Sequence, residues 1–145
     1  MSDTGSGFSE AERDAMKQRA AELKAMSGVK GAAKKAKELE ACLSTIEALE
    51  GTDRTIVQRL HVIVSEEAPH LDPKTWYGFP TYAKDGKNIV FFQPSSKFGA
   101  RYGSVGFEEH AALDDGEMWP VAFAITGMTD ATEKKLRSLV RKAAS

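Results

Sequence analysis

The chain has a single cysteine among its 145 residues, so no intramolecular disulfide framework is available to it. It lacks any run of about 18 apolar residues, which excludes a helical membrane span. Its opening, "MSDTGSGFSEAERD", carries neither the basic nor the apolar part of a signal peptide, so a soluble, cytoplasmic protein is expected. An excess of charge is missing too. Twenty Lys and Arg balance 21 Asp and Glu, and the net charge of -1 argues against a bulk-basic nucleic-acid binder. By size, one domain is expected, burying roughly two-thirds of its unfolded surface.

Aromatic residues are nearly absent from the first half. Of the 12, all but Phe8 lie between Trp76 and Phe123. That first half is rich in Ala, Glu, Lys and Leu, which favour helix, whereas aromatics favour pleated, half-buried surfaces. Helices first, then sheet, then a closing helix predicts an α+β fold: a mostly antiparallel sheet of about five strands with flanking helices and an N-terminal helical arm.

Ser9 and Glu12 have capping-box spacing, and a helix with a thin apolar stripe fades near Met26. "SGVKGAAKKAK" reads as a hinge or linker, giving an arm over residues 1–37 and a main domain over 38–145. The arm either packs on the body or stands apart from it. A second helix is expected from Ala33 to Leu49, and a third capped by Thr52 or Asp53 and stopped by Pro69. Strands are expected at Trp76–Tyr77, Thr81–Ala83, Asn88–Gln93, Arg101–Phe107 and Pro120–Thr126, with Asp85-Gly86 as a hairpin turn. "NIVFFQ" is apolar on both faces, which suits a central strand. Gly99, Gly103 and Gly106 allow bulges or close backbone approach. Asp130 with Glu133 is expected to cap the last helix.

Chemistry-bearing residues are few. Cys42 falls beside Leu43 on a helix and reads as a small buried hydrophobe. His61 reads as a partly buried packing histidine. Glu67 and His70 make a Glu-x-x-His half-motif of carboxylate-bridged metal bundles, but no second copy exists and Pro69 interrupts it. No phosphate loop, nucleophile elbow or dinucleotide fingerprint is present, so no catalytic residue is assigned. From Ser104 to Gly127 the charge is -5 and there is no Lys or Arg, whereas from Thr129 onward it is +3. Within the acidic stretch Glu108, Glu109, His110, Asp114 and Asp115 form a candidate open site for a divalent cation. Trp76, Tyr82, Phe92 and Tyr102 alternate with Lys74, Lys84, Lys97 and Arg101, a stacking pattern weighed as a single-strand binder and set aside.

"PKTWYGFPTYAKDGKNIVFFQPSSKFGARYGSVGF" followed by "LDDGEMWP" resembles the YdhG-like family of bacterial domains without assigned function. Trp76, Gly78, Pro80, Tyr82, Gly86, Phe107 and Trp119 carry the resemblance, which spans about Glu40 to Ala144. It implies a secretion-chaperone-like α+β fold. It also implies, through relatives regarded as frataxin-like, iron as the metal. The first helix departs from a frataxin acidic ridge, since Arg13, Lys17 and Arg19 mix with its acids. Three functional expectations stand. One is a non-catalytic, chaperone-like module binding iron weakly through Glu108, Glu109, His110, Asp114 and Asp115. Another is a module docking a protein partner by its sheet or arm. The third is a small-molecule pocket near Trp76, with Tyr82, Arg101 and Tyr102 as further candidates. The Trp-Gly-Pro-Tyr turn serves either as a structural hairpin or as a rim of that pocket.

Overall fold

The elements follow one another as α1 (Glu10–Ala25), α2 (Gly31–Ala48), α3 (Gly51–Glu67), β1 (Asp72–Trp76), β2 (Phe79–Lys84), β3 (Lys87–Gln93), β4 (Gly103–Phe107), β5 (Ala122–Ile125) and α4 (Asp130–Ala143). This computed structural model describes residues 7–145, so residues 1–6 of the expected arm lie outside the described residues. The five strands form one antiparallel meander in the order β1-β2-β3-β4-β5, which makes the doubly apolar β3 the central strand as its pattern predicts.

Two tight hairpins start the sheet. Tyr77 and Gly78 connect β1 to β2 with φ of 56° and 79°, and Asp85 and Gly86 connect β2 to β3 with φ of 51° and 82°. Two central residues at positive φ match the right-handed strand twist. The Trp76–Tyr77 strand is therefore corrected: Trp76 ends β1 and Tyr77 is the turn. Between Tyr82 and Ala83 the register shifts, so Ile89 is the extra residue of a bulge in β3. Ile89 and Val90 both enter the core.

Strand pairing sorts side chains onto two faces. Tyr82, Val90 and Phe107 align across β2, β3 and β4, and Phe92 aligns with Val105. This inner face packs on Cys42 and Ile46 of α2, on Ile56, Val57, Leu60, Ile63 and Val64 of α3, and on Leu136 and Val140 of α4. Outside α1, the helices thus bury one side of the sheet. A charged lattice fastens α3 to α4. Arg59 pairs with Glu133 at 2.8 Å, Arg137 meets Glu66, Glu67 and Glu133 at 2.8–3.0 Å, and Arg141 reaches Glu67 at 2.7 Å.

Several boundaries differ from expectation: β4 begins at Gly103 rather than Arg101, and β5 is shorter than Pro120–Thr126. The second helix begins at Gly31 rather than Ala33 and absorbs Lys34, Lys35 and Lys37, so the boundary at residue 37 falls inside α2. The Ala-, Lys- and Glu-rich run outweighs one glycine at the helix start. Neither Thr52 nor Asp53 caps α3. The helix starts at Gly51, and the Asp53 carboxylate instead accepts from Ser95 N at 2.9 Å, Ser95 Oγ at 2.9 Å and Ser96 N at 3.0 Å. Burial works against its charge, but these donors outweigh that and hold its carboxyl below the ordinary value. Thr129, not Asp130, caps α4, accepting from Thr132 N at 3.2 Å.

The arm packs on the body. Its capping box is formed, with Glu12 N donating to Ser9 Oγ at 3.0 Å and Ser9 N to Glu12 Oε1 at 2.8 Å. Helix α1 buries only Ala15 and Glu22, and Met16 and Leu23 remain 41% and 58% exposed. Apolar burial is therefore a weak part of its attachment. The stronger part is the Glu22 carboxylate, which accepts from Tyr77 N at 3.0 Å and Gly78 N at 2.7 Å, with Arg19 at 3.2 Å. Lys37 Nζ of α2 adds a hydrogen bond to the Ala25 carbonyl at 3.1 Å.

Replacing Glu22 with Ala is expected to cost about 2 kcal/mol, because two charge-assisted hydrogen bonds go and two turn donors lose their partner. Amide exchange at Tyr77, Gly78 and along α1 should accelerate while the β3 and β4 amides stay protected; unchanged protection in α1 would contradict this anchor. Gly103 admits Phe92 against its backbone, and an added Cβ would sit 2.9 Å from that buried ring. Gly103→Ala should therefore destabilise by about 1–3 kcal/mol in denaturant unfolding, through overpacking.

Candidate functional site

The outer face of the sheet carries its own aromatic row. Trp76 pairs with Phe79 across the first hairpin, and Thr81 pairs with Phe91. Phe79 stacks on Phe91 with centroids 6.0 Å apart and meets Phe98 edge-on at 6.0 Å, while Trp76 meets Phe91 at 5.5 Å and Tyr77 at 5.2 Å. These geometries are the offset and edge-to-face contacts that ring quadrupoles favour. Gly106 lets the Phe91 ring lie against β4.

Helix α1 crosses this row without sealing it. Between them opens a cleft of about 480 Å³ lined by Phe8, Ser9, Glu12, Ala15 and Met16 from the arm and by Tyr77, Phe79, Gln93 and Phe98 from the sheet and its loops. Each side has a local cause. The capping box fixes where α1 begins, which presents Phe8 and Met16; Glu22, further along, sets the helix against the hairpin. Asp53 holds the turn at Ser95 and Ser96, from which Phe98 projects. Glu12 is kept below the ordinary carboxylate value by hydrogen bonds from the backbone and side chain of Ser9, so it is charged at neutral pH.

The expected ligand residues do not converge on one another. Trp76 belongs to the outer row, one ring from the cleft. Tyr82 is fully buried on the inner face, its hydroxyl 2.9 Å from His61 Nδ1. Arg101 and Tyr102 sit together in the link between β3 and β4, the guanidinium 5.2 Å from the ring centroid. Trp76, Tyr82, Phe92 and Tyr102 therefore do not share a stacking platform. Phe8, Met16, Phe79 and Phe98 were not singled out from the sequence; the one signal was Phe8, an aromatic isolated from all others and placed just before a capping box.

In the acidic stretch, Glu108, Glu109 and His110 line a shallow cavity of about 290 Å³ with Asn88, while Asp114 and Asp115 are not part of that lining. His110 Nε2 lies 3.8 Å from Glu109 Oε1. Among the described residues no group of three or more His, Cys, Asp or Glu is placed to hold a metal ion. Glu67 and His70 have other partners: Glu67 takes Arg137 and Arg141, and His70 Nε2 is 2.8 Å from the Ala144 carbonyl. Cys42 is buried beside Tyr82, and burial pushes its thiol up to about 11, so it is no thiolate nucleophile. Among the described residues no helix is long and apolar enough to cross a membrane.

Comparisons with protein-family models, with curated proteins and with solved structures each find no match to this chain.

His61 gives the fold a pH signature. Burial lowers its value from the ordinary 6.5, so the unfolded chain takes up this proton first. Stability should therefore fall as pH drops below 6.5 and level off once the folded His61 is protonated as well. Glu67, held down by Arg141 and then Arg137, contributes its stability above the ordinary 4.5 and loses it as pH falls through its lowered value, a separate and more acid window. Thermal melts between about pH 7.5 and 5.5 should show the first decline in the parent chain and a smaller one in His61→Gln.

Proposed function

We propose that this protein is a non-catalytic binding module whose site is the cleft between α1 and the outer aromatic row, and that its ligand is a small molecule with an apolar body. The observation that carries this reading is the cleft itself. Its volume of about 480 Å³ falls in the usual range for small-ligand sites, and its lining combines four aromatic rings and a methionine with few polar groups. An aromatic wall with Glu12 and Gln93 at its edges supplies burial for the body of a ligand and hydrogen-bonding groups for its orientation. No acid–base pair or activated nucleophile lies in the lining, which is why the reading is binding rather than turnover.

On this reading the pocket expected near Trp76 uses Tyr77, Phe79 and Phe98 in place of Tyr82, Arg101 and Tyr102, which do not line the cleft. The iron reading gains no support, because Glu108, Glu109 and His110 come without Asp114 and Asp115. Kinship with YdhG-like domains belongs to the same proposal and rests on Trp76, Gly78, Pro80, Tyr82, Gly86, Phe107 and Trp119.

A neutral solvatochromic dye such as Nile red tests the cleft without assuming the ligand. It should bind at one saturable site with a blue shift. Met16→Trp, a change on an exposed stretch of α1 that fills the cleft, should abolish that signal while leaving the thermal midpoint within about two degrees of the parent. Equal dye binding by the parent and Met16→Trp would count against the cleft.

A further inference from the structure

The lining of the cleft is one-sided in charge. Among the described residues it contains one carboxylate, Glu12, and neither lysine nor arginine. Two cations border the cleft without lining it: Arg13 donates to the Phe8 carbonyl at 2.8 Å, and the Lys97 ammonium lies against Gly78 at the hairpin tip. The walls are formed by the aromatic residues Phe8, Tyr77, Phe79 and Phe98 with Met16. An ammonium group is drawn both to a carboxylate and to the negative faces of aromatic rings, whereas a carboxylate ligand is repelled by both.

We infer that the cleft selects an organic cation, an aromatic or apolar body carrying an ammonium group, with the body against Phe79 and Phe98 and the ammonium toward Glu12. This rests on the cleft being a ligand site and adds the class of ligand. Glu12 Oε1 is engaged by Ser9 N at 2.8 Å, which holds the carboxylate in place at the cleft lining. The hydrogen bonds from Ser9 also keep Glu12 ionised at neutral pH, so the selection operates under ordinary conditions. Each contribution is modest at a solvent-accessible rim. The expected preference over a neutral analogue of the same shape is roughly fivefold to tenfold.

Three water-soluble probes with one phenyl ring and the same short chain separate the possibilities: phenethylamine, phenethyl alcohol and phenylacetate. Each is titrated into the full chain, following the backbone amides of Tyr77, Phe79, Gln93 and Phe98. The expected order of affinity is amine, then alcohol, then phenylacetate. Glu12→Gln keeps an acceptor for Ser9 N and removes the charge; it should lower the affinity of the amine more than that of the alcohol and leave only the smaller preference that the aromatic rings supply. Added salt should weaken the amine alone, a readout that needs no variant. If the alcohol or phenylacetate binds as tightly as the amine, cation selection is wrong and the cleft remains a ligand site. If none of the three moves those amides, the cleft reading itself fails and takes this inference with it.

Discussion

The Glu22 carboxylate holds the outer half of the molecule together. The first hairpin turn leaves two backbone N–H groups pointing out of the sheet, at Tyr77 and Gly78, and a single buried side chain from α1 accepts both. Unpaired, either donor would have to face water or remain unsatisfied. Tyr77 at positive φ is an uncommon choice for an L-residue, and the carboxylate supports that conformation from outside the hairpin. Because α1 buries little else, this contact positions the helix over the aromatic row and thereby creates the cleft.

The sheet uses its aromatic residues for two separate purposes. Tyr82, Phe92 and Phe107 face the helices and belong to the core, where α2, α3 and α4 close around them. Trp76, Phe79 and Phe91 face the other way; Phe79 is buried among its neighbouring rings, and Trp76 and Phe91 are only partly covered. A strand that is apolar on both faces, such as β3, requires something on each side, and here the second cover is a helix that buries only Ala15 and Glu22. The consequence is an inner layer that supplies stability and an outer layer whose apolar surface stays partly accessible.

The sequence disclosed the layers more readily than their meeting points. Periodicity and breakers placed every helix, and the concentration of aromatics after Trp76 identified the sheet, but the first strand was expected at Trp76–Tyr77 and lies at Asp72–Trp76. Hairpin chemistry at Asp85-Gly86 was legible because few residues tolerate positive φ. The same logic was harder to apply at Tyr77, where a bulky residue takes a position usually given to Asn, Asp or Gly. Asp53 shows the other limit. Its place near a helix start suggested a cap, yet its hydrogen bonds go to Ser95 and Ser96, 42 and 43 positions away, and no local rule reads such a partner. The cleft was hidden for the same reason: its two walls come from residues 8–16 and 77–98, and only tertiary docking brings them together.

Docking and binding are consequently one linked equilibrium. Helix α1 supplies three of the residues that line the cleft, with Phe8 and Ser9 just before it, and is held chiefly by Glu22, so a ligand that bridges Phe79 and Met16 also holds α1 on the sheet. Any molecule that binds only the docked arrangement stabilises it by mass action, and by reciprocity a docked helix raises the affinity for that molecule. The core is exempt from this coupling, since Leu60, Phe92, Val105 and Val140 pack together without a residue from α1. The fold therefore separates what must stay fixed from what can respond, with the first hairpin as the boundary where a backbone turn, a buried carboxylate and an aromatic wall meet.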